Sequence, residues 1–395
     1  MPAEKRNPDT EGKNRLLARP GTRDHEEARG NMSERARRVV DGEAWRAFCR
    51  ELEDAGNVVL GDGTPTTAFD RAEGFRYLTR LLRAGLESFV ESRDPQHPRF
   101  FQLSNETIKI GNDNPDNLYH NTNLSGEHDY RIFGQRGTVP YISWACYGGG
   151  YADDRRMTPT GQIDSSQLEI GPDGQFEIFV SARPQERNWL KMDPATTNMV
   201  VRQTFNVRAD ETPAAYEIEC LSRDRDGRLD PEAFAEGLED TTRFLRNTAE
   251  IFVDWMRIFE AHPNQLPADD QERCRNTGGD KNIHYKNSRW ALADDEALVI
   301  EAPTIPNCST WNFQLSNFWL ESLDYRHHRI SVNKHTAQYE PDGSVRIVVA
   351  HEDPGERYPN WIETCGHNEG SMLFRWIEAS EHPDVETRVV KFSEL

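Results

Sequence analysis

The spacing of apolar residues changes along the chain, and each change marks a different kind of structure. Before residue 100, apolar side chains recur every three or four residues in two segments, as in amphipathic helices. From about residue 101, short runs alternate apolar and polar positions between Gly, Pro, Asn and Asp, which is typical of strands joined by turns. Helical spacing returns after residue 230, and a second β-like region runs from about residue 297 to the end.

The longest helical pattern begins at residue 230. Asp230 is a good N-cap, and Pro231 suits the first helical position, where its missing N–H costs nothing. Apolar residues then recur at helical spacing as far as Phe259. We therefore predict one helix of roughly 30 residues, inserted between the two β regions.

The two β regions resemble each other in order and content. Each contains a Pro-Asp-Gly turn followed by an alternating strand, then an Asn-Trp pair, then a strand that ends on arginine. The matched segments, first copy first, are 138–144 with 310–316, 172–174 with 341–343, 188–190 with 360–362, and 199–202 with 372–375. Because so many elements match in order, the sequence predicts an internal duplication.

These patterns predict a mainly β protein with helical additions, of the α+β class. We expect two similar antiparallel β-sandwich or jelly-roll-like units, with N-terminal helices and the long inserted helix covering their edges. The expected organisation is a disordered or loosely docked arm at 1–38, a helical region at 39–100, β copy 1 at 101–222, a helix and linker insert at 223–296, and β copy 2 at 297–395.

Comparison of the copies suggests which residues have structural roles. Features that both copies keep are interpreted as scaffold. Arg202 and Arg375, which match, are explained most simply as structural ion partners, because a buried arginine needs a carboxylate. A functional role for this pair is the alternative.

Differences between the copies point to candidate chemistry. Copy 2 has His351 and Asp353 where copy 1 has serine and arginine, and it also carries His367. Strand parity places His351 on the same buried face as Val345. We predict that His351 acts as an acid or base oriented by Asp353, with His367 as a second proton donor. Structural histidines are the alternative.

A polar run before the first matched segment suggests a binding surface. Residues 111–137 are rich in Asn and Asp, and Tyr119, His120 and Arg131 could contact a hydroxylated or carboxylated ligand. Tight turns stabilised by the Asn and Asp side chains would explain the same composition. Trp144 and Trp311 are predicted to line an apolar pocket, although aromatic residues more often fill cores.

Composition limits the partners. The 395 residues carry a formal net charge of −20, which argues against nucleic acid and anionic membrane surfaces. No apolar run approaches the ~20 residues of a membrane span. The charged N-terminus has no apolar signal core, so we expect no secretion signal, and six cysteines without a CxxC pair favour a reducing cytoplasm.

No metal-binding motif stands out, so we expect neither a metal ion nor another cofactor. A site built from His120, His351 and His367 on separate segments is the less favoured alternative.

Three stretches resemble a known family: NPDNLYHNTNLSGEHDYRIFGQRGTVPYISW, PDGSVRIVVAHEDPG and NWIETCGHNEGSMLFRW. They are similar to the bacterial family called domain of unknown function 1214, over roughly residues 105–221 and 297–395. The resemblance implies a soluble protein of β-sandwich or jelly-roll type. It implies no reaction, cofactor or catalytic residue.

The favoured function is an enzyme that acts on a largely hydrophobic small organic molecule with a polar handle. Its chemistry would be metal-independent acid–base catalysis of the lyase, isomerase or hydrolase type. One alternative is a non-catalytic β-sandwich that binds carbohydrate or another small molecule. The other is a structural protein that forms homo-oligomers through the long helix.

Overall fold

The computed structural model of the chain describes residues 32–224 and 226–395. Of the predicted arm at 1–38, residues 1–31 therefore lie outside the described residues. The remainder leads into a short helix, Glu34–Val40, where the hydroxyl of Ser33 accepts a hydrogen bond from Ala36 N at 3.2 Å. This hydroxyl satisfies one of the free N–H groups at the helix start.

Five α-helices occur in the described part of the chain. They are α1 (Glu34–Val40), α2 (Glu43–Ala55), α3 (Ala68–Leu86), α4 (Pro231–Phe259) and α5 (Gln271–Asn276). The long helix α4 confirms its prediction, since Asp230 accepts from Glu232 N at 3.0 Å and Pro231 is the first helical residue. Helix α3 is capped by Thr67, whose hydroxyl accepts from Asp70 N, and it continues into a π-helical turn, Glu87–Glu91.

Sixteen strands form four sheets in the described residues. They are β1 (Asn117–Asn123), β2 (Tyr130–Gln135), β3 (Tyr141–Gly150), β4 (Arg156–Asp164), β5 (Gln175–Ser181), β6 (Trp189–Lys191), β7 (Thr196–Thr204), β8 (Ala215–Cys220), β9 (Ile283–Ala291), β10 (Glu296–Ala302), β11 (Thr310–Leu315), β12 (Ser331–Asn333), β13 (Val345–Ala350), β14 (Trp361–Glu363), β15 (Glu369–Ile377) and β16 (Glu386–Lys391).

The sheets confirm the duplication strand by strand. In the first unit the strand orders are β1-β7-β3-β4 and β6-β5-β2-β8. In the second unit they are β9-β15-β11-β12 and β14-β13-β10-β16, so each strand has a counterpart eight places later. Both units also share one short parallel pair, β5 with β6 and β13 with β14, within otherwise antiparallel sheets.

Register within the sheets corrects one part of the sequence match. Ser143 lies opposite Arg202 in the first unit, and Asn312 lies opposite Arg375 in the second. Strand β3 therefore matches β11 in a register shifted by three residues from the pairing of 138–144 with 310–316. Turns preceding these strands differ in length between the units, and only the strand pairing reveals that difference.

Each unit is a sandwich with its own core. In the first, Trp144 and Val201 from one sheet pack against Ile132 and Ile178 from the other. The second is filled in the same way and includes Trp311. Its first strand, β9, begins at Ile283, inside the range predicted as linker, because a single strand after a polar segment has little periodicity of its own.

The helices form a third core against the second unit. Helix α4 contributes an apolar face including Phe252 and Phe259, which packs with α3 and with Leu373 and Ile377 of β15. Apolar packing between the helices and one sheet face thus fixes α4 beside the β units. Among the described helices, none is both long and apolar enough to cross a membrane.

Candidate functional site

A cavity of about 480 Å³ lies where the two β units and α4 meet. Its wall comes from β1 and β7 of the first unit, β9 and β15 of the second, helix α4, and the segments 101–113 and 274–285. Pockets of this size accommodate small organic ligands.

Strand parity explains which side chains face the cavity. On β7, Met199 and Val201 point into the first sandwich core, so Val200 and Arg202 point to the opposite face. On β15, Leu373 and Arg375 likewise point away from the core of the second unit.

The two units contribute the same tyrosine–arginine pair to the cavity. Tyr119 of β1 lies directly opposite Arg202 of β7, and Tyr285 of β9 lies directly opposite Arg375 of β15. All four side chains line the cavity. The cavity is therefore lined by two equivalent faces, one from each copy of the duplicated unit.

Arg202 is a buried cation with an unused donor. Its Nη2 donates to the carbonyl oxygen of Gly278, whereas its buried Nη1 has no hydrogen-bond partner. Burial disfavours the charged guanidinium, but Tyr147 and Asp280 outweigh burial and raise the pKa of Arg202. The group therefore stays charged, and a buried donor without a partner favours an acceptor in the cavity.

Arg375 is held more completely than Arg202. Its Nη1 donates to the amide oxygens of Asn312 at 3.2 Å and Gln314 at 2.6 Å, and its Nη2 donates to the carbonyl oxygen of Asn112. Burial lowers the pKa of Arg375, yet a guanidinium remains charged at neutral pH. Arg375 thus adds positive charge beside the cavity.

The predicted structural ion pairs of these two arginines are wrong. Within the described residues, both guanidinium groups donate to carbonyl oxygens, and neither group forms an ion pair with a carboxylate. Carbonyl oxygens accept hydrogen bonds from the guanidinium N–H groups but do not neutralise their positive charge. The inner end of the cavity therefore presents two guanidinium groups that no carboxylate contacts, which suits an anion.

Hydroxyl and amide groups surround the two arginines. Tyr119 Oη accepts from Asn114 N at 2.9 Å, and Tyr285 Oη accepts from Asp280 N at 2.9 Å. Burial raises the pKa of Tyr285, so its hydroxyl stays protonated. Among the described contacts neither hydroxyl donates, so both protons are available to a ligand acceptor.

The acidic group and the thiol in this part of the wall are both engaged elsewhere. Asp113 accepts from Ser322 N at 3.0 Å and Ser322 Oγ at 2.8 Å. Burial raises the pKa of Asp113. The thiol of Cys274 points to Asp269 at 3.5 Å, and burial raises its pKa. It is therefore a weak nucleophile.

Another part of the cavity wall is apolar and aromatic. Helix α4 supplies Phe244, Phe252 and Trp255, while the segment before β1 supplies Leu103. Gly111 permits close packing here, because a Cβ at this residue would lie 2.6 Å from Phe252 Cζ. An apolar wall and two cations in one cavity match a ligand with an apolar body and an anionic group.

Exposure shows which end of the cavity faces solvent. Asp153 and Thr197 line it and are exposed, whereas Arg202 and Tyr285 are buried. At the outer end Arg93 forms an ion pair with Asp240 at 2.5 Å. The cavity thus runs inward from the turn after β3 to the arginines.

Among the predicted substrate-binding residues, Tyr119 lines the cavity and the other four lie elsewhere. Trp144 and Trp311 fill the two sandwich cores with no exposed surface. His120 Nδ1 lies 2.8 Å from the hydroxyl of Tyr216. Arg131 forms ion pairs with Glu177 at 3.1 Å and Glu219 at 2.8 Å on a sheet surface.

The predicted catalytic residues lie at one end of the second unit. His351 follows the last residue of β13, and both ring nitrogens have partners other than Asp353: Thr364 Oγ1 at 2.9 Å and Ala293 O at 3.2 Å. Asp353 is exposed and accepts from Gly355 N at 2.8 Å. The predicted orientation of His351 by Asp353 is therefore wrong, because the chain turns after β13 and directs this carboxylate into the turn.

His367 joins the second unit to helix α3 through a buried ion pair. Its Nε2 lies 2.6 Å from Glu73 Oε2, and its Nδ1 donates to Thr364 O at 2.9 Å. Although burial opposes charge on both groups, the pair raises the pKa of His367 and lowers the pKa of Glu73. His367 therefore stabilises the contact between the second unit and helix α3, and its role as a second proton donor stays a prediction.

We expect the substitution His367→Gln to destabilise the protein most in mildly acidic solution. A raised histidine pKa stabilises the fold fully below the ordinary value of 6.5 and loses its effect as pH rises through the folded-state pKa. A lowered glutamate pKa stabilises above the ordinary value of 4.5 and loses its effect as pH falls through the folded-state pKa. The expected loss of unfolding free energy is about 2 kcal/mol between these two values and less in alkaline solution.

Urea unfolding across this pH range measures the effect. Glu73→Gln should show the same pH dependence, and the double variant should lose less than the sum of the two single variants. A loss for His367→Gln that does not change with pH would contradict the ion pair.

The sequence interpretation favoured a structural role for Arg202 and Arg375, with a functional role as the alternative, and it missed Tyr285 and the aromatic face of α4. One signal could have found Tyr285. The motif Tyr-x-Asn occurs at 119–121 and again at 285–287, and all four of these tyrosine and asparagine side chains line the cavity.

Comparison with known proteins adds a family but no activity. The family model described as "Protein of unknown function (DUF1214)" matches residues 117–205 and 290–381, one segment in each unit. An uncharacterised protein from Burkholderia cenocepacia has a similar solved structure, with 46% sequence identity, a TM-score of 0.89, and coverage of 91% of this chain and 100% of that one. The VPA0106 protein from Vibrio parahaemolyticus is 12% identical, with a TM-score of 0.48 and coverage of 80% and 98%.

No curated protein matches the chain. The family match covers most of each β unit, and the Burkholderia relative is similar over nearly the whole described fold. The chain therefore belongs to the DUF1214 family of proteins of unknown function.

Proposed function

We propose that the protein binds a small amphiphilic organic anion in the cavity between its two β units. The anionic group accepts a hydrogen bond from Nη1 of Arg202, and Arg375 adds favourable charge nearby. The apolar body packs against Phe252 and Trp255 of α4. The observation that carries this proposal is the buried, unpartnered Nη1 of Arg202 in the wall of an otherwise partly aromatic cavity.

Electrostatics favours an anion over a neutral polar group. A charge-assisted hydrogen bond contributes about 1.5–3 kcal/mol, roughly twice the contribution of a neutral one. Water could satisfy the Arg202 donor, but it would add no negative charge in contact with the two guanidinium groups, which carboxylates such as Asp280 influence only from a distance. A carboxylate or phosphate group supplies both the acceptor and the opposite charge.

The proposal covers binding and assigns no reaction. The predicted acid–base residues His351, Asp353 and His367 do not belong to the described lining of the cavity. A reaction at this site would therefore depend on the lining tyrosines or on Asp113. The predicted cytoplasmic location is retained as part of the proposal, and the six unpaired cysteines support it.

Thermal-shift measurements with ligands of one chain length and different head groups test the proposal. Decanoate and decyl phosphate should raise the melting temperature, because a ligand that binds only the folded state stabilises it by mass action. Decanol should raise it less, and decylamine should not raise it. Oligosaccharides serve as the comparison for the carbohydrate-binding alternative.

Equal shifts for decanoate, decanol and decylamine would show that the charge of the head group is not recognised. Shifts with oligosaccharides alone would contradict the proposal and favour the carbohydrate-binding alternative. A larger shift for decyl phosphate than for decanoate would identify phosphate as the preferred anion at Arg202.

A further inference from the structure

A group of potential metal ligands lies in the second β unit, away from the cavity wall. The side chains of His328, Glu363 and Cys365 each offer one potential ligand atom, and these atoms lie within 4.8 Å of one another. His328 Nδ1 is 3.0 Å from Glu363 Oε2. Imidazole, carboxylate and thiolate are the three ligand types that zinc binds in proteins.

Main-chain contacts bring these residues together from two segments. Glu363 is the last residue of β14, and its N–H donates to the carbonyl oxygen of Arg329 at 2.9 Å. This bond fixes the loop that carries His328 beside the end of the strand. Cys365 follows two residues later, where it and Gly366 adopt left-handed backbone angles of φ 53° and 81°.

Comparison of the two β units shows that the fold itself does not require these ligands. Ala350 pairs with Glu363 in the second unit as Ser181 pairs with Lys191 in the first, so Glu363 corresponds to Lys191. Counting on from these residues, Cys365 corresponds to Asp193. The first unit therefore builds the same strand end with a lysine, which would repel a cation.

An ion pair between His328 and Glu363 does not account for the whole group. This ion pair does not include the thiol of Cys365, which contacts the carbonyl oxygen of Glu363 at 3.7 Å. The side chains of His328 and Glu363 are 40% and 29% exposed, so a metal ion can reach them from solvent.

We propose that His328, Glu363 and Cys365 bind one zinc ion, with a solvent molecule as the fourth ligand. On binding, the Cys365 thiol loses its proton to solvent and its sulfur donates an electron pair to the metal, with no change of oxidation state. Three protein ligands and one open position resemble zinc sites that exchange a ligand, whereas purely structural zinc sites use four protein ligands. Bound zinc would also tie the 324–330 loop to the edge strand β14.

Cobalt substitution tests both the stoichiometry and the sulfur ligand. Titration of the full-length protein with Co²⁺ should saturate at one equivalent and produce a thiolate-to-cobalt charge-transfer band, which Zn²⁺ then removes by displacement. Cys365→Ser should abolish the band. His328→Gln and Glu363→Gln should each weaken zinc binding by at least about 100-fold, more than loss of an outer-shell partner.

Cys49→Ser is the matched control, because Cys49 is an exposed thiol on helix α2. It should leave both the cobalt band and the zinc affinity unchanged, and melting curves should show that each variant is folded. An unchanged band in Cys365→Ser, or zinc affinities equal to wild type in the other two variants, would overturn the proposal. Failure of Co²⁺ and Zn²⁺ to bind saturably to the wild-type protein would do the same.

Discussion

Replacement of Arg202 by glutamine should weaken decanoate binding by about 10- to 100-fold. The substitution removes a charge-assisted hydrogen bond of about 1.5–3 kcal/mol, and each 1.4 kcal/mol is a tenfold change in affinity. Decanol, which lacks the charge, should lose much less. Isothermal titration of both ligands against wild type and variant measures the two changes.

Arg131→Gln is the matched control for this experiment. Arg131 is also an arginine on a β-strand of the first unit, but it forms its ion pairs with Glu177 and Glu219 outside the cavity. It should leave decanoate affinity unchanged. If Arg202→Gln and Arg131→Gln bind decanoate as tightly as wild type, the anion does not contact Arg202.

The equivalent substitution, Arg375→Gln, should have a different effect from Arg202→Gln. Arg375 holds Asn112, Asn312 and Gln314 in place, whereas Arg202 keeps one donor free. Arg375→Gln should therefore reduce stability as well as affinity, because it leaves several buried carbonyl oxygens without a donor. The comparison of the two variants separates ligand recognition from structural support within one repeated pair.

Trp311→Ala should lower the free energy of unfolding by about 3–5 kcal/mol, the cost typical of removing a buried aromatic side chain. Trp311 has no exposed surface, stacks on Phe374 with ring centroids 5.4 Å apart, and donates from Nε1 to the hydroxyl of Tyr339 at 3.2 Å. The cavity left by alanine would lie in the core of the second unit. Urea unfolding of wild type and variant measures the loss.

Trp45→Ala is the control for this prediction, because Trp45 is 59% exposed on helix α2. Its expected effect is within about 0.5 kcal/mol, as for most surface substitutions. Decanoate affinity of folded Trp311→Ala should stay close to wild type. A large loss of affinity with little loss of stability would instead support the original prediction that Trp311 contacts the ligand.

The residues shared by the two copies contribute to the candidate site, whereas the sequence analysis interpreted them as scaffold. Residues that differed between the copies were taken as candidate chemistry, and shared residues as scaffold. In the structure the shared pairs, Tyr119 with Arg202 and Tyr285 with Arg375, line the same cavity. A duplicated unit that packs against its own copy brings equivalent surfaces together, so conserved features between the copies can form one site.

The histidines found only in the second copy lie close together in the structure. His351 and His367 both contact Thr364, which lies between the two proposed zinc ligands of the 363–365 segment. The sequence comparison thus pointed to a distinct region of the second unit. It did not indicate that His367 pairs with Glu73, nearly 300 residues earlier in the chain, because no local pattern links the two.

The sequence by itself determined the elements and their repetition. Helix α4, its cap at Asp230, the alternation of the strands and the order of the two units all follow from spacing, turn residues and internal similarity, which act over a few residues or compare one segment with another. Only the tertiary structure showed which residues come together to form the candidate site. Strand parity gives the two faces of a sheet but not what covers each face, and the packing of both units and α4 buries Arg202 and Arg375 at one cavity without carboxylate partners.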